Sequence, residues 1–375
     1  MIGHACALKY DGEGFWQGMR HALDIGGPSA EVYADLALET GQRYGMWIRQ
    51  PDLTLLDGWI ERALELAAKG SRTQGKAFAA RAIGYDDEAA ARSALAIAER
   101  LGDLDLRCTA LSTLSSAALA QKDFGQACAL MDQVMAYLPE LNNPDASSTA
   151  MLIAFFVYLR SGNLDAAGRA SAMAAEAAAG LTAHHRLHAA AWQILLPSAT
   201  GRWDEARAVA AEAERVVDAN LAAATPCVFN VSILLYCSAA SAQAGDENEA
   251  RRLESKAQNL GMEGGRWYQG WFEPPRIRLA LARNDLGALA EAVPAEFDWE
   301  WESASTFLDA LSALRERKRI EAEAVKWLQP GTFAEPFALR ALGTARTDQA
   351  LLKQALERFQ AMGLTWHAAQ TRCLL

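Results

Sequence analysis

Gly245-Asp246-Glu247-Asn248-Glu249-Ala250 is a short turn that ends in alanine, and turns of the same form recur along the chain about every forty residues. The other five are Gly84-Tyr85-Asp86-Asp87-Glu88-Ala89, Lys122-Asp123-Phe124-Gly125-Gln126-Ala127, Gly162-Asn163-Leu164-Asp165-Ala166-Ala167, Gly201-Arg202-Trp203-Asp204-Glu205-Ala206 and the weaker Asn284-Asp285-Leu286-Gly287-Ala288-Leu289. Their closing residues stand at positions 89, 127, 167, 206, 250 and 289, at intervals of 38, 40, 39, 44 and 39 residues. A fixed period in this range is typical of stacked helix pairs, each too small to bury its own apolar face. The pattern therefore predicts an all-α solenoid of antiparallel helix pairs.

The residue types in each turn indicate how it folds. A glycine at the end of the first helix, such as Gly245, supplies a left-handed conformation that other residues adopt only at a cost. The Asp or Asn that follows favours turns and caps the second helix. Alanine at the closing position lets the two helices cross closely, because a larger side chain would push them apart. We therefore expect the six closing positions to be buried.

The composition is compatible with one long helical array. Of the 375 residues, 51% are hydrophobic and only 11 are proline, so a continuous core is available and few residues interrupt helices. The repeats are regular over residues 70–293, whereas residues 1–69 and 294–375 predict less regular helices and a terminal cap. A solenoid grows without splitting into domains, since each repeat contacts its neighbours. We expect a single α-solenoid over residues 1–375.

The charge of the chain argues against nucleic-acid and membrane partners. The formal net charge is −10, whereas phosphate backbones and anionic lipids require a basic surface. The most basic run, residues 315–319, is followed at once by Glu321 and Glu323, so we interpret it as a solvated helix face. The most apolar stretch, residues 151–158, is too short to span a bilayer. Six scattered cysteines without a C-x-x-C pair, and an N-terminus unlike a signal peptide, predict a cytoplasmic protein with reduced thiols.

The turn-and-alanine pattern resembles tetratricopeptide repeats, in the longer variant of about forty residues. The period and the six hexamers carry this resemblance across residues 70–289, although the repeats lack that family's regular early tryptophan and closing proline. The resemblance implies a right-handed α-solenoid whose concave face binds a protein or peptide segment, or a small effector. It implies no cofactor.

Further segments resemble the helical sensor region of large bacterial signalling ATPases, including adenylate or guanylate cyclase-type and LuxR-type regulators. Residues 337–343 (FALRALG) and 355–372 (ALERFQAMGLTWHAAQTR) are similar to the closing segment of that region. Residues 33–37 (YADLA), 43–47 (RYGMW) and 59–66 (WIERALEL) are similar to its start. The resemblance implies a sensor part of a longer ATPase or cyclase, or a stand-alone adaptor. The chain has no phosphate-loop motif and no cyclase signature, so the ATP-binding residues of such proteins have no counterpart in it.

One histidine pair has the spacing of metal ligands. His184 and His188 are four residues apart and lie on one helix face, which is a workable two-ligand arrangement for zinc. No Glu follows in an H-E-x-x-H pattern, and no third ligand is close in sequence. A polar helix start explains the residues better, so we expect no metal site.

Two neighbouring segments concentrate four of the eleven tryptophans and several acidic residues. The residues that we expect to contact a ligand or partner are Trp267, Tyr268, Trp271, Trp299 and Trp301. Aromatic faces beside carboxylates suit a peptide or sugar groove. The alternative is that irregular repeats use bulky side chains to fill gaps where alanine packing fails.

No residue pattern indicates catalysis. The chain lacks a G-x-S-x-G elbow, and Cys227 and Cys237 have no histidine near them in sequence. We therefore predict a non-enzymatic helical-repeat module for protein interaction or effector sensing. The alternative is an (α/α)-toroid enzyme that acts on carbohydrate through the acidic-aromatic segment; a toroid would bring its first and last helices into contact, whereas an open solenoid would not.

Overall fold

The computed structural model describes residues 2–47, 51–141, 143–223, 227–260, 266–295 and 301–375. For Tyr44, Pro144, 266–270 and 301–302 it describes the backbone but not the side chains. These residues form helices and no β-strand, which confirms the all-α prediction. The first ten α-helices are α1 (Ile2–Leu8), α2 (Gly12–Gly26), α3 (Ala30–Gln42), α4 (Leu53–Leu66), α5 (Arg72–Tyr85), α6 (Glu88–Leu101), α7 (Leu104–Ala120), α8 (Phe124–Tyr137), α9 (Pro144–Arg160) and α10 (Leu164–Ala178). The next eleven are α11 (Ala183–Thr200), α12 (Trp203–Ala222), α13 (Phe229–Gln243), α14 (Glu247–Asn259), α15 (Arg266–Arg283), α16 (Leu286–Ala292), α17 (Trp301–Ala313), α18 (Arg317–Glu323), α19 (Glu335–Arg346), α20 (Gln349–Ala361) and α21 (Thr365–Arg372).

The chain divides into two compact units. The first contains Met1–Val157, Glu176–His185 and Leu221–Cys227, and the second contains Tyr158–Ala175, Arg186–Asn220 and Val228–Leu375. In the first unit α3, α5 and α7 pack side by side, and α6 and α8 pack against the helices that precede them. In the second unit α13, α15, α17 and α19 pack side by side in the same way. None of the described helices is both long enough and apolar enough to cross a bilayer.

At many of the described turns, a left-handed residue ends one helix and the capping residue after it begins the next. Gly245 has φ +82°, and the carboxylate of Asp246 then accepts a hydrogen bond from the N–H of Glu249 at 3.2 Å. The N–H of Asp246 closes the preceding helix by donating to the carbonyl of Ser241 at 2.9 Å. Among the described residues, six that are not glycine also adopt the left-handed conformation. They are Tyr10, Asp86, Lys122, Asn284, Arg315 and Thr347. The prediction of a left-handed turn residue is confirmed, but glycine is not required for it.

The first turn follows a different register from the one that the hexamers predict. Gly84 lies within α5, and the left-handed residue is Asp86, with φ +52°. Asp87 caps α6, so the residue four positions after the cap is Ala91 rather than Ala89. Ala91 is 1% exposed, whereas Ala89 is exposed, and the prediction for Ala89 is wrong. The sequence Asp86-Asp87-Glu88 offers two possible caps, and only the backbone conformation selects between them.

The other five closing positions are buried, as predicted. Their exposed fractions are at most 1%, and they are Ala127, Ala167, Ala206, Ala250 and Leu289. In each case the N–H of the closing residue makes the first hydrogen bond of its helix, to the carbonyl of the capping residue four positions earlier. The cap therefore sets which side chain faces the preceding helix.

The last helices of the second unit contact turns that are far away in sequence. The ring Nε2 of His367 bonds the carbonyl of Ala199 at 3.0 Å, and the N–H of Phe333 donates to the carbonyl of Arg160 at 3.2 Å. The rings of Trp203 and Trp366 meet edge to face at 5.5 Å. A solenoid held only by nearest neighbours would not make such contacts. Within this unit, early and late helices touch.

Candidate functional site

The first unit contains a cavity of about 260 Å³. Its walls come from the end of α3, the turn after α5, one face of α7 and the start of α9. Because α3, α5 and α7 are neighbours, residues far apart in sequence reach the same space. Pockets for small ligands are usually concave and largely apolar, with a few placed polar groups. This cavity follows that pattern, with Ile83 and Ile153 among its apolar lining residues.

A stripe of four hydroxyl groups on α7 forms one wall. The stripe consists of Thr109, Ser112, Thr113 and Ser116, all of which line the cavity. Residues at i, i+3, i+4 and i+7 share one face of a helix, which explains why all four point the same way. Gln42 of α3 donates its amide N–H to the Thr109 hydroxyl at 2.9 Å, and this bond joins the stripe to the next wall.

A buried ionic network forms the base of the cavity. Arg43 lies directly after α3, where it caps the helix end, and its guanidinium contacts the carboxylates of Asp145 and Glu39. Asp145 lies in the first turn of α9, where its N–H donates to the side chain of Asn143 at 3.1 Å. Arg43 and Asp145 are 5% and 6% exposed. Buried charges of this kind are stable only when paired, because desolvation is costly.

His185 binds the same carboxylate through its Nε2. Its Nδ1 lies 2.8 Å from the hydroxyl of Thr182, so both ring nitrogens are engaged. Burial raises the pKa of Asp145, but the hydrogen bond from His185 and the charge of Arg43 outweigh it and leave the pKa below its ordinary value. Asp145 is therefore a carboxylate at neutral pH.

Tyr10 packs over the two adjacent histidines. Its ring centroid is 4.0 Å from that of His184 and 5.3 Å from that of His185. Burial, followed by the charge of Asp145, raises the pKa of Tyr10, so its phenol stays neutral at physiological pH.

The histidine pair with the spacing of metal ligands, for which we expect no metal site, falls on the boundary between the units. His184 and His188 lie one turn apart on α11, but the chain passes from the first unit to the second between His185 and Arg186. In the first unit, the Sγ of Cys227 lies within 4.8 Å of a ring nitrogen of His184. This neighbour could not be predicted from the sequence, because Cys227 is 43 positions from His184. In the second unit, the ring of His188 packs edge to face on Phe229 at 4.8 Å. The expectation of no metal site is neither changed nor tested by these contacts.

The predicted aromatic groove is described only in part. Trp299 lies outside the described residues, and so do the side chains of Trp267, Tyr268 and Trp301, whose backbones belong to α15 and α17. Trp271 is described: its ring lies 4.9 Å from that of Phe229 and 6.1 Å from that of Trp192. The half-buried Trp271 therefore contacts one aromatic residue of α11 and one of α13.

Sequence reasoning did not identify the cavity. The hydroxyl stripe at positions 109, 112, 113 and 116 was a visible signal, because its four hydroxyl residues recur at helical spacing. The ionic base was not visible, since Arg43 and Asp145 are 102 positions apart and no quoted motif contains both.

Comparison with known proteins assigns no family. No protein-family model matches the chain, and no curated protein matches it. The resemblance to tetratricopeptide-like repeats and to bacterial sensor regions therefore remains a prediction.

Proposed function

We propose that this chain is a non-enzymatic, tetratricopeptide-like module whose helix pairs form a right-handed α-solenoid that binds a small effector or a peptide segment. It acts in the cytoplasm as the sensor part of a bacterial signal-transduction ATPase or cyclase, or as a related stand-alone adaptor. Repeated helix pairs create extended binding surfaces, which supports this proposal. The six cysteines are all free thiols, in keeping with a reducing compartment. The formal net charge of −10 disfavours nucleic acid and anionic membranes as partners.

The single observation that carries the proposal is the cavity between α3, α5, α7 and α9. It joins hydroxyl groups, a buried ion pair and apolar side chains in one concave space. Ligand sites on repeat proteins need such convergence of neighbouring repeats, because a single helix pair offers only a flat face.

A blocking substitution at the mouth of the cavity tests the proposal. Ser116 lines the cavity and is exposed, so Ser116→Phe fills the entrance without altering the core. Ala120 lies one turn later on α7, is also exposed and does not line the cavity, so Ala120→Phe is the matched control. Both variants and the wild type are screened with a small-molecule fragment library by threonine-methyl NMR. We expect fragments that shift the signals of Thr109 and Thr113 in the wild type and in Ala120→Phe, but not in Ser116→Phe. A library without any such fragment would exclude the cavity as a ligand site.

A second candidate function is the toroidal enzyme. The observation that favours it is the contact between early and late helices of the second unit, where His367 of α21 reaches Ala199 of α11. An (α/α) toroid requires a contact of the same kind between the first and last helices of the chain. Two measurements separate the candidates: hydrolysis of a panel of oligosaccharides, and the radius of gyration by small-angle scattering. A compact chain of 375 residues would give a value near ~21 Å by the size scaling of compact domains, whereas an open solenoid would give a larger one.

A further inference from the structure

We infer that the cavity of the first unit takes a small, singly charged cation rich in N–H donors, of the primary ammonium class. This inference rests on the proposed function and specifies its ligand. It follows from three properties of the lining residues, which are the direction of their hydrogen bonds, their charge and the size of the space.

Three of the four hydroxyl groups of the α7 stripe have already used their hydrogens. Thr113 donates to the carbonyl of Thr109 at 2.9 Å, and Ser116 donates to the carbonyl of Ser112 at 3.1 Å. Thr109 donates to the carbonyl of Asp105 at 3.1 Å. A hydroxyl has one donor and two acceptor lone pairs, so these three groups face the cavity as acceptors. A ligand that complements them must bring donors.

The charges around the cavity also favour a cationic ligand. The charged side chains of the lining are Arg43, Asp86 and Asp145, and Arg43 is shared between Asp145 and Glu39. Among the described residues, Asp86, Asp145 and Glu39 supply three carboxylates against the one guanidinium group of Arg43. Asp86 stands at the exposed end of this set, in the turn after α5. An anion would meet a surplus of negative charge and three hydroxyl groups that act as acceptors, and each is unfavourable.

The size of the cavity limits the ligand. About 260 Å³ lies below the ~300–1,000 Å³ that is typical of pockets for drug-sized molecules. An ammonium group on a short chain meets this limit, whether it belongs to a free amine or to a lysine side chain of a peptide.

Matched probes of one size test the inference on the full chain. The probes are n-butylammonium, n-butanol and butyrate, which differ in charge, together with N-acetyl-lysine amide as the peptide source. Binding is followed by saturable shifts of the methyl signals of Thr109, Thr113 and Thr149, which all line the cavity. We expect n-butylammonium to bind at least about 10-fold more tightly than butyrate or n-butanol, equivalent to about 1.4 kcal/mol. Tighter binding of the lysine compound than of the free amine would assign the peptide as the source, and the reverse would assign a free amine.

Two conservative variants test the named groups. Asp86→Asn removes one charge at a left-handed position, with φ +52°, that asparagine tolerates well. Thr113→Val removes one acceptor at nearly constant shape. We expect each to weaken n-butylammonium binding by about 2- to 10-fold. Ser116→Ala, at an exposed position, replaces Thr113→Val if that variant does not fold.

The control is Ser93→Ala on α6. The Ser93 hydroxyl makes the same type of bond to the residue four positions earlier, at 2.9 Å, but does not line the cavity. It should leave binding unchanged. Equal or tighter binding of butyrate or n-butanol would overturn the cation assignment and leave the ligand site standing. Failure of n-butylammonium to shift these methyl signals would also overturn it, and the fragment screen with Ser116→Phe would then decide the proposed function separately.

Discussion

The hydroxyl of Ser238 donates a hydrogen bond to the carbonyl of Ala250 at 2.8 Å, and this bond joins α13 to the first turn of α14. Ser115 makes the same bond to Ala127, also at 2.8 Å, in the other unit. In both pairs the donor stands twelve residues before the closing alanine. The residue twelve positions before each of the other four closing residues is also buried, at 1% exposure or less; these are Ala79 for Ala91, Phe155 for Ala167, Ile194 for Ala206 and Ile277 for Leu289. A common register therefore positions the first helix against the first turn of the second.

Enlarging a closing alanine should destabilise the fold. Ala206 and Ala250 are 0% exposed, so Ala206→Leu or Ala250→Leu forces extra atoms into a packed crossing. We expect a loss of about 1–3 kcal/mol in the free energy of unfolding, measured by urea denaturation. Ala89→Leu, at the exposed position, should change it by less than about 0.5 kcal/mol. Wild-type stability of both buried variants would contradict the register described here.

The distant contacts within the second unit can be tested with two glycines. Gly201 and Gly245 both have a left-handed backbone, with φ +76° and +82°. A Cβ on Gly201 would lie 2.8 Å from the Cβ of Trp366, whereas a Cβ on Gly245 would meet nothing within 4 Å. Both alanine substitutions should cost about 1–2 kcal/mol for the backbone conformation. Gly201→Ala should cost about 1–3 kcal/mol more, because it also separates α21 from its partner turn. Equal unfolding free energies for the two variants would show that α21 does not press on this turn in solution.

The stability of the second unit should fall in mild acid because of His367. Burial, and then the charges of Arg340 and Arg278, lower the pKa of His367 well below its ordinary value of 6.5, while the neighbouring carboxylate of Asp309 opposes this shift. The unfolded chain therefore binds a proton at a higher pH than the folded chain does. The contribution of the neutral His367 to the free energy of unfolding is therefore fully present above about pH 6.5. It is lost progressively as the pH falls below that value.

Replacing His367 isolates this effect. Relative to His367→Gln, the wild type should lose about 2 kcal/mol of unfolding free energy between pH 7.5 and pH 5. The exposed His21 is the control, and His21→Gln should leave the pH dependence of the wild type unchanged. Parallel pH profiles for the wild type and His367→Gln would mean that the buried ring is protonated as readily as a free one.

Two arginines share one partly buried carboxylate in the second unit, that of Asp309, and Asp309 and Arg278 should respond differently to substitution. Asp309 accepts from Arg278 at 2.8 Å and from Arg340 at 2.5 Å. Burial raises the pKa of Asp309, but the two guanidinium groups outweigh this and lower it. Asp309→Asn leaves two buried cations without a counter-charge and should cost about 3–5 kcal/mol.

Arg278→Met should be tolerated much better. The Nε and Nη2 of Arg278 have no hydrogen-bond partner among the described residues, and Arg340 remains paired with Asp309 after the substitution. Removing a poorly satisfied buried charge is often neutral or stabilising. Calorimetric unfolding of both variants gives the comparison, and a larger loss for Arg278→Met than for Asp309→Asn would refute this ranking.

Helical content and the position of most turns were predictable because both are local properties. Asp246 and Asp285 cap helices through their own side chains, and the buried alanine four residues later follows from helix geometry. The one wrong register, at Asp86-Asp87, arose where two adjacent residues can both cap. Of the aromatic residues predicted to form a groove, Trp271 is the one whose side chain is described, and it packs on Phe229.

The sequence by itself determined the helix pairs, because capping and the left-handed turn depend on residues within about six positions of each other. Only the tertiary structure decided the cavity of the first unit, since it joins Arg43 to Asp145 across 102 positions. It also decided the contact between His367 and Ala199, which are 168 positions apart. Such contacts depend on how the helix pairs stack, and small rotations at each interface add up along the chain to place distant residues together or apart.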